Sequence, residues 1–394
     1  MLIAYAKMPP GVYVSRGHSG VLILPKNNFS PFMLKRRTDI RLPVKAIFFI
    51  QAVWILMFMT GCADREEDGQ HRSFFESTRQ SKSSRVIKDT TYPKQMFDLI
   101  DLNVFNDGGM DVNGDFLYVA DIERNKVVKI DRNTWNVADS IGNGEGQGPG
   151  EAMDIGDFAV YGKKLYIPDR QQRKIMVFSK SGKLIRKITT ESFPPEDVEI
   201  LRNGNIMASS SPVTGKYVFY VLDDDGKVIN KFFRVSQSEN ILRYEGHLDL
   251  SRKKNVLYYS GYTEPVIKSI DPEGKSRFTK EMINSFNTEG NYVKSSIDTE
   301  NVRYSYSDHA IYASFDVVYR HGNIIVSPIN DRDGNLYNFL DFYDSNGNYK
   351  HTIYMGREVP FTDITIAEDS TAYTIEQRRD GGGTLFVYDL SEYL

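Results

Sequence analysis

The sequence predicts an all-β fold, a six-bladed β-propeller with four-stranded antiparallel blades. Three observations carry that expectation: one short phrase recurs six times, its spacing matches a blade, and an apolar run stands upstream of the copies. The phrase is an apolar strand closed by Asp or Ser and followed by a tight turn. The copies read Val-Val-Lys-Ile-Asp131, Ile-Met-Val-Phe-Ser179, Phe-Tyr-Val-Leu-Asp223, Val-Ile-Lys-Ser-Ile-Asp271, Leu-Asp-Phe-Tyr-Asp344 and Leu-Phe-Val-Tyr-Asp389. In four of them a glycine stands three places on, at Gly182, Gly226, Gly274 and Gly347.

Successive copies lie 48, 44, 48, 73 and 45 residues apart. Four of these spacings fit a propeller blade of about 40–50 residues. The long one predicts an insertion, placed near 276–312. Upstream halves such as Gly114-Asp-Phe-Leu-Tyr-Val-Ala-Asp121 and Gly322-Asn-Ile-Ile-Val-Ser327 are β-branched or aromatic runs bounded by turn residues, which read as strands. The 24 Tyr and 23 Phe suit sheets that face one another through large rings. Leu394 follows Asp389 too closely for a further strand, and an open ring would expose sheet edges. The expected remedy is an N-terminal strand in the last blade, from Met96–Phe105 or from Arg85-Val-Ile-Lys88. A three-stranded last blade is the alternative.

Leu117-Tyr-Val-Ala-Asp121 with Arg124, and Leu165-Tyr-Ile-Pro-Asp169 with Arg173, resemble NHL-type six-bladed propeller repeats. The loop Gly142–Glu151 before Asp157-Phe-Ala-Val160 resembles the join between early blades of TolB-like propeller lipoproteins of the Bacteroidetes type. The resemblance covers residues 95–394. It implies a fold and an anchored protein rather than a reaction.

The N-terminus reads as an address. Ala46–Met59 is 14 residues, apolar except Gln51, and too short for a comfortable membrane span. Basic residues from Lys35 to Lys45 precede it, and Thr60-Gly61-Cys62 follows. That is the layout of a secretion signal. The cysteine resembles a lipobox thiol, which implies a lipid anchor on Cys62. The expected organisation is an upstream mis-start over 1–32, with Met33 as initiator, a signal peptide over 33–61, an acidic and polar tether over 62–90, and the propeller over 91–394. The predicted location is the cell envelope, as an outer-membrane lipoprotein. The acidic run behind Cys62 resembles a surface-export signal.

Cys62 is the only cysteine. Acylated, it leaves no thiol for catalysis or metal binding. Eight Lys/Arg and one Asp precede it, so the part from Cys62 onward carries −10 of a whole-chain −3. That balance, without a basic stripe, argues against a nucleic-acid partner. The Gly-rich run 142–150 lacks the Gly-Lys-Ser/Thr ending of a phosphate loop and leads into a strand, so it reads as an inter-blade loop.

No nucleophile–base motif appears. Aligning the innermost strands places Asp157, Asp197, His247 and Asp363 at their starts, around one channel mouth. Carboxylates converging there would suit calcium. With the histidine, another divalent cation is open. The competing reading has each Asp bonding loop backbone. The insertion carries Tyr292, Arg303, Tyr304, Tyr306 and His309, aromatic and polar groups suited to ligand recognition over a rigid scaffold. Two function classes follow. One is a lipid-anchored binding or scaffold protein that presents a propeller surface to a glycan, peptide or protein. The other is a metal-dependent hydrolase or lyase, lactonase-like, at the channel mouth.

Overall fold

The recurring phrase is the third strand of each blade with the turn that leaves it. The computed structural model describes residues 74–394 apart from 83, 106, 211–216, 236–239, 284, 287, 289, 297–301, 308–309, 330–337, 358, 360 and 379–381. The expected mis-start, signal segment, Cys62 and first part of the tether lie outside the described residues.

Two strands, β1 (Ile87–Thr90) and β2 (Gln95–Asp98), precede the first blade. Blade one is β3 (Asp107–Asn113), β4 (Phe116–Asp121), β5 (Lys126–Asp131) and β6 (Val137–Ile141). Blade two is β7 (Ala159–Tyr161), β8 (Lys164–Asp169), β9 (Lys174–Ser179) and β10 (Leu184–Thr189). Blade three is β11 (Val198–Ile200), β12 (Ile206–Ser209), β13 (Tyr217–Leu222) and β14 (Val228–Arg234). A 3-10 turn, Ile241–Tyr244, leads to blade four: β15 (Gly246–Ser251), β16 (Val256–Gly261), β17 (Val266–Ile270) and β18 (Ser276–Glu281). A separate antiparallel hairpin follows, β19 (Tyr292–Ser296) with β20 (Val302–Tyr306). Blade five is β21 (Ser314–Arg320), β22 (Asn323–Pro328), β23 (Phe339–Asp344) and β24 (Tyr349–Tyr354). Blade six is β25 (Asp363–Ile366), β26 (Thr371–Gln377) and β27 (Gly383–Asp389). The insertion therefore starts later than expected, because Ser276–Glu281 is the ordinary outer strand of blade four.

The backbone explains the repeated Asp-x-x-Gly. Asp223 accepts from the N–H groups of Asp225 (3.1 Å) and Lys227 (2.9 Å), and Gly226 N–H closes the turn onto Asp223 C=O at 3.0 Å. Gly226 sits at φ +87°, where a side chain is strained. A Cβ there would also meet Ile188 of blade two at 2.3 Å. Gly274 repeats both features, with φ +87° and Phe232 of blade three at 2.6 Å. Each of these turns thus seats against the outer strand of the blade before.

β2 pairs antiparallel with β27, from Gln95 opposite Val387 to Asp98 opposite Thr384, so blade six is completed by an N-terminal strand. The closure is sealed by a core shared between blades six and one, including Leu99, Val104, Leu117, Val128, Ile375 and Leu385. Fully burying each such side chain contributes about 1.5–3 kcal/mol. The second candidate segment also forms a strand: β1 runs parallel to β24 and gives blade five a fifth strand.

Residues 74–90, expected in the tether, instead lie along the outside of the propeller. Phe74, 1% exposed, sits in the core between blades three and four. Thr78 bridges Lys280 of β18. The Gln80 side-chain amide donates to Glu281 C=O at 2.8 Å and Gly347 C=O at 2.9 Å. Arg85 pairs with Asp341 of β23 at 2.9 Å. The polar composition hid this belt, because its fastenings are to residues far away in the chain.

Candidate functional site at the channel mouth

Each innermost strand contacts the next all the way round, through β3, β7, β11, β15, β21 and β25. Side chains alternate along a strand. In β15, Leu248 and Leu250 enter the core between blades three and four, which turns His247 and Asp249 to the opposite face. Every connection from an outer strand to the next inner strand crosses the same end of the ring, so the inner-strand starts surround one mouth.

Carboxylates crowd this channel. Asp157 Oδ1 accepts from Phe158 N–H at 2.8 Å and packs against Gly109 of blade one, where a Cβ would come within 2.4 Å. Asp157 and Asp197 are joined by a parallel backbone bridge. Asp363, 8% exposed, shares a side-chain hydrogen bond with Asp316. His247 stands against the Tyr262 ring, with centroids 6.1 Å apart.

Four further acids join them: Asp111, Glu199, Asp249 and Asp316. Three clasp one blade to the next through backbone amides. Asp111 accepts from Val160 N–H (2.8 Å), Asp249 from Tyr319 N–H (2.6 Å), and Asp316 from Ile364 N–H (3.1 Å). All four stand within the inner strands aligned from sequence, but behind the leading column. The i, i+2 parity of Asp197 with Glu199 and of His247 with Asp249 is the signal that finds two of them, Glu199 and Asp249.

The electrostatics follow from crowding. Burial, then the charge of Asp316, pushes Asp157 up to about 8. Blades two and five face each other across a six-membered ring, so this repulsion acts across the axis. Burial pushes Asp316 up to about 6. Asp197 is held well above the usual carboxylate range by burial and by Asp157. Glu199 is also raised by burial, and Arg252, 3.6 Å away, opposes the shift. Arg252 follows β15 and Arg320 ends β21, so both cations stand at the far end of the channel. Arg320 pairs with Asp249 at 3.5 Å.

Burial pushes His247 down to about 4. The imidazole is therefore neutral at physiological pH. Among the described residues, no group of three or more His, Cys, Asp or Glu is arranged to hold a metal ion. Of the expected aspartates, Asp157 turns onto a backbone N–H, Asp363 bonds the Asp316 carboxyl, and Asp157 and Asp197 crowd one another.

The hairpin β19–β20 adds aromatic surface beside the mouth. Tyr292 OH donates to Glu264 Oε1 at 3.2 Å and lies 2.6 Å from Thr263 Oγ1. Tyr306 OH donates to Glu245 Oε2. Burial raises both the Glu245 carboxyl and the Tyr306 hydroxyl. Tyr262 links the two parts, 6.1 Å from Tyr306 and 4.9 Å from Tyr312 between ring centroids. Arg303 and Tyr304 lie on β20, but their side chains fall outside the described residues, as does all of His309.

Comparison with known proteins agrees with this architecture. The profile of the family DUF5128, described as a 6-bladed beta-propeller, matches residues 110–355. No curated protein matches the chain. One similar solved structure is a protein of Bacteroides fragilis assigned as exported, with a TM-score of 0.51 and 12% identity over 79% of this chain and 98% of that one. Another is a DUF4221-family protein of Bacteroides vulgatus, with a TM-score of 0.51 and 10% identity over 78% of this chain and 99% of that one. At these identities the likeness is one of fold. The family match spans more than half of the chain, which therefore belongs to the DUF5128 six-bladed propeller family.

Proposed function

We propose that this propeller is a lipid-anchored cell-envelope protein that binds a glycan, peptide or protein at the channel mouth beside the hairpin. One observation carries the reading. The hairpin β19–β20 belongs to no blade, yet it is fastened to the mouth side of blade four through Glu245 and Glu264. An element outside the structural repeat, held rigidly beside a mouth, suits recognition more than stability. The exposed Val293 on it, with the neutral His247 and the tyrosines beneath, offers apolar and hydrogen-bonding surface together.

The lipid anchor rests on the Lys/Arg, apolar and Thr-Gly-Cys62 order of the N-terminus, and the exported likeness in Bacteroides fragilis is in keeping with it. Two measurements test the reading. Wild-type protein should take up labelled fatty acid and partition with membranes, and Cys62→Ser should do neither. On glycan and peptide arrays, the full propeller should bind a ligand that a variant with residues 284–310 replaced by a Gly/Ser linker does not. A soluble wild type refutes the anchor. Equal binding by both chains refutes the mouth.

A further inference from the structure

The belt and the hairpin grip the same short turn from two sides. On one side, Phe74 enters the core between blades three and four, with ring centroids 4.7 Å from Phe233, 5.1 Å from Tyr244 and 5.4 Å from Tyr259. Lys268 Nζ, from β17, donates to the Phe74 carbonyl at 2.8 Å and fixes the backbone there. Phe75 lies 4.9 Å from Tyr244, and the Arg243 guanidinium stacks over the Phe75 ring at 4.4 Å. On the other side, strand β20 packs on Ile241–Tyr244.

Arg243 joins the two sides. Its Nε lies 2.6 Å from Glu264 Oε1, the same oxygen that accepts from Tyr292 OH of the hairpin. Thr288, on the approach to the hairpin, adds its hydroxyl to Glu264 at 3.3 Å. The path Phe75, Arg243, Glu264, Tyr292 is thus continuous, with each link a direct contact. Phe75 is only partly buried and lies at the edge of the core, a place where an aromatic ring contributes less to stability than in the interior.

We propose that Phe74 and Phe75 form a positioning plug that sets the pose of the hairpin through Arg243 and Glu264. The plug opens the belt, so the belt and the recognition element are mechanically linked. The function of this link rests on the reading of the hairpin as the ligand-binding element, whereas the link itself does not. Without the Phe75 ring, the guanidinium loses its stacking surface, Glu264 loses a fixed partner, and Tyr292 loses a fixed acceptor. The hairpin should then open locally while the blades stay folded, since local openings cost less than global unfolding.

Amide hydrogen exchange on the full chain without ligand tests this. Phe75→Ala should speed exchange of the β19–β20 amides by on the order of tenfold or more, with the β8–β9 amides of blade two unchanged. Arg243→Met should do the same, and the double variant should add little to either single one, as for residues acting in one chain of contacts. Phe75→Leu, which keeps an apolar side chain but no aromatic face, should fall between wild type and Phe75→Ala. If hairpin exchange stays at the wild-type rate in both Phe75→Ala and Arg243→Met, the proposal is wrong. It is also wrong if blade two loosens equally, since that reports general destabilisation. Faster hairpin exchange with array binding unchanged would leave the plug standing and remove the hairpin from recognition.

Discussion

Removing the Arg85 guanidinium should cost more stability than any other single change in the belt. Its side chain is 8% exposed and that of Asp341 is 1% exposed. The contact is two-pronged, with Nη2 at 2.9 Å from Oδ2 and Nε at 3.0 Å from both carboxylate oxygens. Thr352 Oγ1 donates to Asp341 Oδ1 at 2.5 Å and is itself 2.7 Å from Tyr349 OH. That tyrosine hydroxyl accepts from Val86 N–H at 2.8 Å, which returns the network to the belt.

Arg85→Ala leaves the Asp341 carboxylate buried with a hydroxyl in place of a cation. Breaking a buried pair from one side costs about 3–5 kcal/mol. At about 2.1 cal/mol/K per residue, a domain of roughly 320 residues shifts by about 1.5 °C per kcal/mol, so the drop in Tm should be about 4–8 °C. Replacing both partners by apolar residues, Arg85→Met with Asp341→Leu, should cost less than Arg85→Ala alone, because no charge is then stranded. Thermal unfolding followed by circular dichroism reads both. An Arg85→Ala loss below about 1 kcal/mol, the range of an exposed pair, would refute the reasoning. So would a double variant less stable than the single one.

The channel acids make stability depend on pH. Asp157, with its carboxyl raised to about 8, holds a proton in the folded protein that it has lost in the unfolded chain between about pH 4 and pH 8, so stability should fall as pH rises through that window. Four units at about 1.4 kcal/mol each bound the effect near 6 kcal/mol, and because the repulsion is shared with Asp197 and Asp316, Asp157→Asn alone should recover on the order of 2–3 kcal/mol at pH 8 and nothing at pH 4. A Tm that rises from pH 5 to pH 8 would contradict this. Millimolar calcium should leave the Tm unchanged, because Asp157 and Asp316 already bond backbone N–H groups. A saturable rise in Tm would restore a cation site. A chain starting at residue 85 should fold with lowered stability, whereas one starting at residue 106 should not, because β2, Leu99 and Val104 are gone; equal Tm values for the two would sink the closure argument.

What the sequence reveals of this molecule is what the backbone forces. An Asp-x-x-Gly turn that needs a positive φ and admits no Cβ cannot drift, so the third strand of three blades is marked, at Gly226, Gly274 and Gly347. The innermost strands are readable too, because an acid closes or opens them in register. The belt is not readable, because Gln80, Lys82 and Arg85 look like any solvated run, and only the pair Phe74-Phe75 hints at a core contact. Asp111 and Asp316 escape because they matter through the neighbouring blade: their acceptors face Val160 N–H and Ile364 N–H. The role of the insertion as a hairpin is hidden by its polar composition, though its tyrosines are visible. His247 and the aspartates share the channel in sequence alignment. The structure gives them separate surroundings, with an aromatic neighbour for the one and carboxylate neighbours for the others.

The claim at the centre is that a ligand seats at the mouth beside the hairpin. Hydrogen exchange with and without the strongest array ligand tests it most directly. Protection confined to β19–β20, Glu245–His247 and the Gly261–Glu264 turn is the predicted footprint. Protection on the far end of the channel around Arg252 and Arg320, or on the outer strands of the blades, with the hairpin unchanged, would contradict it.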